Sequence, residues 1–147
     1  MTTSPTSTPG ATDRPPEPSS RAVVERYFAA VNAGDFDTLR QVLHPEIELT
    51  ACMSRPRQGV DSVVAFFDAV FGRYPEHSDI PTRLICDGNS VVAEIHFEGR
   101  SDTGAEIVFE AVDLFDVVDG RIRRLSQWFD SADLQRQLRS PGQTPAG

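Results

Sequence analysis

The chain has 147 residues and a formal charge of −8, and all 14 of its basic residues are arginine. That length suits one domain. An acidic chain without a basic stripe is a poor partner for nucleic acid, whose phosphates supply most of the affinity, and no stretch approaches the ~20 apolar residues of a membrane span.

From Thr2 to Ser20, fifteen residues are Ser, Thr, Pro or Gly. Such a composition has too little apolar surface to offset the entropy of ordering. Residues 1–20 are expected to be a disordered tail with no secretory h-region, and residues 140–147 a second tail. The foldable part is 21–139, long enough for a sizeable core.

Val23, Val24, Tyr27, Phe28 and Val31 fall on one helical stripe. Ser20 is placed to cap that helix and Gly34 to end it. Asp35 can cap a second helix carrying Leu39, Val42 and Leu43, which stops before Pro45. Glu46 to Ala51 alternates as a strand. Asp61 can cap a third helix bearing Val64, Phe67, Val70 and Phe71, closed by Gly72. After Pro81 come a short strand, 82–86, a turn at Asp87-Gly88-Asn89, and strands over 91–98 and 105–117. Asp119-Gly120 makes a tight hairpin into a strand over 121–129, and a short helix, 131–138, closes the chain. Helices followed by a run of strands argue for an α+β fold with a mostly antiparallel sheet, covered on one face by the helices.

Period-two alternation sorts the strand residues by face. Ile107, Phe109, Ala111, Asp113, Phe115 and Val117 share one, as do Leu125, Gln127 and Phe129, and Ala93, Ile95 and Phe97. These faces are apolar and should look toward the helices. Asp113, Gln127 and Tyr27 are the polar groups among them. A carboxyl group between Phe109, Phe115 and Phe129 is costly as a lone anion and tends to keep its proton. Asp113 and Tyr27 could then donate to one oxygen and stabilise an enolate-like oxyanion; equally, Asp113 could simply accept bonds from Tyr27 or Gln127 and do no chemistry.

Weaker signals have plainer readings. His44 sits at a helix end on the surface. His77, beside Glu76 and Asp79, falls in a loop at the mouth, where it could supply a base or be merely solvated. His96 alternates with Glu94 and Glu98 on the outer sheet face. Asp35 and Asp37 are explained by helix capping, and Trp128, opposite in sense to Gln127, by packing against the last helix. Cys52 and Cys86 match no metal spacing and read as reduced thiols of a cytoplasmic protein. His, Asp and Glu form no metal-ligand cluster, and no phosphate loop, haem or flavin signature appears, so no cofactor is expected.

The run from Val23 through Tyr27 to Asp37, the loop Pro56-Arg57-Gln58-Gly59, Val112-Asp113-Leu114-Phe115 and Asp119-Gly120-Arg121-Ile122 resemble bacterial ketosteroid isomerases and SnoaL-like polyketide cyclases of the nuclear transport factor 2-like superfamily. The resemblance implies a cone-shaped barrel, a curved sheet wrapped around the N-terminal helices, with one deep pocket. It implies that Tyr27 stands where the isomerases place their oxyanion-hole tyrosine and Asp113 where they keep a protonated aspartic acid. It also implies a homodimer contacting near Glu94, His96 and Glu98. Three departures accompany it. The isomerases' general base corresponds to Ala51, or to Thr50 with a one-residue shift. The aspartate that the cyclases and limonene epoxide hydrolase-like enzymes carry on the last strand corresponds to Gln127, and the hydrolases' arginine to Ala111.

The expected site therefore comprises Tyr27, Asp113 and Gln127 as chemical groups. Its pocket wall comprises Ala51, Phe67, Ile95, Phe97, Phe109, Phe115, Leu125 and Phe129. The expected partner is a small, largely apolar oxygenated molecule of polyketide type, which an isomerase or cyclase would convert and a binding protein would only hold.

Overall fold

A computed structural model describes residues 17–139. Apart from positions 17–20, the two expected tails lie outside the described residues. Helix α1 (Ser20–Ala33) is capped by Ser19, whose side chain accepts from the Ala22 N–H, one residue earlier than expected. Ser20 is already helical, and its hydroxyl donates to the Gly88 carbonyl. Gly34, at φ 64°, closes the helix in the left-handed conformation that glycine adopts without a Cβ penalty. Asp35 caps α2 (Phe36–Val42) through the Thr38 N–H, and the chain runs directly into β1 (Leu43–Ala51). The two-residue β2 (Arg57–Gln58) pairs with β1 and was not legible in the sequence.

Helix α3 (Val60–Arg73) starts from Gly59 without a side-chain cap. Asp61 instead lies in its first turn and pairs with Arg40 at 2.6 Å. Gly72 is helical, and Tyr74 ends the helix. Four long strands follow: β3 (Glu76–Asp87), β4 (Ser90–Arg100), β5 (Glu106–Val118) and β6 (Arg121–Phe129). At the β5–β6 turn Asp119 and Gly120 both have positive φ, 53° and 72°, the turn whose twist matches its strands. Helix α4 (Ser131–Leu138), capped by Asp130, closes the described chain.

The strands form one sheet in the order β2-β1-β6-β5-β4-β3. All pairs are antiparallel except β1 with β6. The sheet curves but stays open, since β2 and β3 are opposite edges, so the expected barrel is unclosed. Strand β3 was expected to begin after Pro81, at Thr82, yet it starts six residues earlier, at Glu76. Proline is tolerated there because β3 is an edge strand, where a missing N–H deprives no neighbour.

The concave face meets α1 and α3. Val24, Tyr27, Val31, Val63, Phe67, Phe115 and Leu125 form the packed bottom of the cone, each contributing about 1.5–3 kcal/mol of burial. A smaller cluster of Tyr74, Phe97, Ile107 and Leu134 surrounds the wide end. There α4 is fastened by Gln137, whose amide donates to the Val108 carbonyl and accepts from the Val108 N–H, both at 2.8 Å. Neighbouring β6 pairs with β5 only from Ala111 onward, so the side chain completes a ladder that would otherwise end unpaired.

Candidate functional site

The wide end of the cone encloses a cavity of about 310 Å³. Strands β4, β5 and β6 supply Ile95, Phe97, Phe109, Ala111 and Phe129. Helix α3 supplies Phe66, Ala69, Val70 and Arg73, one stripe at helical spacing. The turn after β1 contributes Cys52 to Ser54, and α4 lays Leu134 and Leu138 over the top. Of the expected wall, Ala51, Ile95, Phe97, Phe109 and Phe129 line the cavity. Phe67, Phe115 and Leu125 do not: they are buried beneath it, because α1 fills the narrow end completely.

Asp113 and Gln127, directly opposite each other on β5 and β6, both face the cavity. Tyr27 lies behind them, 2 % exposed and held edge-on by Phe28, Phe67 and Phe115 at 5.1, 5.9 and 5.2 Å. The Gln127 amide bridges the two acids, donating to the Tyr27 hydroxyl at 3.4 Å and to Asp113 Oδ2 at 3.3 Å. Tyr27 and Asp113 therefore do not converge on one ligand oxygen; Gln127 stands between them. Burial pushes the Asp113 carboxyl well above its ordinary range, the nearby Asp79 charge adds to this, and the Gln127 bond opposes it. Burial also raises the Tyr27 phenol. Asp113 is 3 % exposed, so its surroundings favour the protonated form, and with Oδ2 accepting from Gln127 its Oδ1 is the oxygen left to donate.

A second carboxyl group reaches the same cavity, one that strand alternation does not find. Asp79 of β3 lines it. Pro81 pairs with Ile95 and Arg83 with Glu94, so Thr82 is an extra residue bulged out of the ladder. Counting back from inward-facing Leu84 without the bulge would turn Asp79 outward. With it, Asp79 shares the inner face with its partner Phe97. Asn32 fastens this backbone to α1, accepting from the Asp79 N–H at 2.7 Å and donating to its carbonyl at 2.8 Å. Burial raises the Asp79 carboxyl to about 6, against the pull of His77. The group is crowded by protein yet open to the cavity, and it is poised to titrate near neutrality.

His77 is not in a loop. It lies in β3, stacked on Phe71 at 4.7 Å, with its ring nitrogens 2.9 Å from the Tyr74 and Val31 carbonyl oxygens. Both nitrogens are occupied, so His77 supplies no base. His44 lies within β1, accepting from the Glu46 N–H. His96 bonds Glu110 and Glu98 on the outer face, and both raise it. Trp128 is 50 % exposed on that face, while α4 packs against the inner one, so the two do not meet as expected. Ala51, not Thr50, lines the cavity. Among the described residues, no His, Cys, Asp and Glu group has metal-binding geometry, and no helix is long and apolar enough to cross a membrane.

Two arginines complete the wall at its mouth. The Arg57 guanidinium lies 5.5 Å over the Phe66 ring and donates to the Ser62 carbonyl at 3.3 Å. Arg73 stands at the other end of α3.

The family model of the SnoaL-like domain matches residues 24–125. One curated relative, the ECF RNA polymerase sigma factor SigJ of Mycobacterium tuberculosis, is 34 % identical over 76 residues, covering 47 % of this chain and 24 % of its own length. The chain thus matches only about a quarter of that relative. Among solved structures, a SnoaL-like polyketide cyclase candidate from Jannaschia sp. CCS1 superposes with a TM-score of 0.78 at 19 % identity, over 89 % of this chain and 99 % of its own. An LEH-like epoxide hydrolase of M. tuberculosis gives 0.71 at 23 %, over 81 % and 88 %. A protein of ketosteroid isomerase-like fold from Catenulispora acidiphila, in complex with trimethylamine, gives 0.72 at 13 %, over 78 % and 90 %. At these identities the likeness shows the fold.

Proposed function

The chain belongs to the SnoaL-like domain family, and on that footing we propose that it is an isomerase or cyclase of a small, largely apolar, oxygenated substrate, working by paired-carboxyl acid–base chemistry. The observation that carries this is the presence of Asp79 and Asp113 on the wall of one apolar cavity, with environments that set their protonation apart. Such a pair divides naturally into base and acid.

Asp79, as carboxylate, takes a proton from a carbon next to a substrate carbonyl. The C–H electron pair moves into the enolate, and the Asp113 O–H donates to the carbonyl oxygen where negative charge develops. Isomerisation follows if Asp79 returns the proton at a conjugated carbon. Cyclisation follows if the enolate carbon attacks a second carbonyl, whose oxygen then takes the proton. Gln127 holds Asp113 in register. Tyr27 supports Gln127 from behind, so its loss should matter less than that of either acid.

The test is deuterium uptake from D₂O at the α and γ carbons of a bicyclic enone. Asp79→Asn and Asp113→Asn should each slow uptake by about 10²-fold or more, and Tyr27→Phe by much less. Uptake indifferent to Asp79→Asn would sink the proposal.

The likeness to a stretch of a sigma factor favours a second reading, a ligand-binding module without turnover. A ligand that always leaves the pocket chemically unchanged would select it. Under either reading we place the protein in the cytoplasm, on its two free thiols, Cys52 and Cys86, and as a homodimer across the outer sheet face. Val112, Leu114 and Trp128 are exposed there, and nearby charges already pair internally as Arg83–Glu94 and His96–Glu98. Sedimentation of wild type as a dimer and of Leu114→Asp as a monomer is expected; a wild-type monomer refutes the dimer.

A further inference from the structure

We infer that the substrate carries an anionic group, of carboxylate type, which Arg57 receives at the mouth of the cavity. This rests on the proposed function and names the chemical class it acts on. Arg57 is half-buried and lines the cavity. Its guanidinium is already positioned, over the Phe66 ring and bonded to the Ser62 carbonyl, so little side-chain freedom remains to be lost on binding. One of its five N–H donors is used in that bond, and the other four have no partner among the described residues. Among the described residues, no carboxylate lies within 4.0 Å of it, although ion pairs occupy six other arginines of this acidic chain.

A planar cation without a carboxylate partner, beside the aromatic Phe66, suits a planar anion, which it can engage through two parallel hydrogen bonds. The topology keeps that anion away from the acid pair. Arg57 is on β2 and Asp79 on β3, the two opposite edges of the six-stranded sheet. A bound molecule would span the concave face, its anion at the β2 edge and its reacting carbon toward Asp79 and Asp113. The exposed Arg73, at the far end of α3, serves as the internal comparison.

The experiment is a fluorescence titration of 6-hydroxy-2-naphthoate against its neutral isostere 6-hydroxy-2-naphthamide, at pH 7.5 and low salt. Wild type should prefer the carboxylate by about tenfold or more. Arg57→Gln should bring the ratio close to one, Arg57→Lys should retain part of the preference, and Arg73→Gln should leave most of it. Thermal melts identify any variant that fails to fold, in which case the Lys variant decides. A wild type that binds the naphthoate no better than the amide, or not at all, overturns the inference, as does a preference that Arg73→Gln removes and Arg57→Gln does not. If the preference is absent while deuterium uptake still depends on Asp79, the anion assignment falls and the acid–base reading stands. If the preference holds while uptake ignores Asp79, the reverse follows.

Discussion

At the scale of single residues, the two carboxyl groups make opposite demands on stability and on chemistry. The folded protein holds Asp79 near 6, against an ordinary 3.8. Between those values the folded state binds the proton more tightly than the unfolded chain. Stability therefore falls as pH rises through that window and is flat above it. At about 1.4 kcal/mol per pH unit, the cost of the ionised group at neutral pH is up to about 3 kcal/mol. The Asp113 carboxyl, raised as well by burial, acts on stability in the same sense. Asp79→Asn should thus melt at a higher temperature than wild type at pH 7.5, and its melting temperature should vary less between pH 4 and 6, as followed by circular dichroism. Deuterium uptake by wild type should do the contrary and rise with pH through about 6, because the base must be ionised. An Asp79→Asn variant that is less stable than wild type would mean that the carboxylate is held by favourable bonds and is not strained by burial.

At the scale of elements, the site depends on how one edge strand is kept in register. The Thr82 bulge turns Asp79 inward, and Asn32 ties the same backbone to α1 through two bonds. Asn32→Ala removes both partners from a backbone amide and carbonyl, a loss of about 1–3 kcal/mol. It should slow deuterium uptake and broaden the Asp79 side-chain resonance while leaving the Asp113 resonance sharp. Equal disturbance at both acids would show that Asn32 supports the fold generally and does not hold β3 in particular. Deleting Thr82 asks the same question of register, since it should swing Asp79 to the outer face and abolish uptake in a protein that still folds.

At the scale of the molecule, the cavity exists because the cone is filled from one end only. Helix α1 packs the narrow end, and α4, held to β5 by Gln137, roofs the wide end. Gln137→Ala should cost about 1–3 kcal/mol and speed ligand dissociation in stopped flow with little change in association. A dissociation rate identical to wild type would mean that α4 is not a lid.

Much of this was legible in the chain. Apolar stripes on α1 and α3, the alternation of β4 to β6 and the Asp119-Gly120 turn are local patterns tied to backbone geometry, so they dictate an α+β fold and put Asp113 and Gln127 on the buried face. The caps were off by one or two residues, where Ser19 and Ser20, or Gly59 and Asp61, competed for one role. Asp79 was hidden because Pro81 reads as the start of the strand that in fact runs through it, and because the bulge beyond it reverses alternation without leaving a mark in composition. The depth of Tyr27, the roof of Leu134 and Leu138, and the placing of Arg57 opposite Asp79 belong to the tertiary structure alone. They depend on which strands become edges and how far the sheet curves, and those are settled by contacts between residues far apart in the chain.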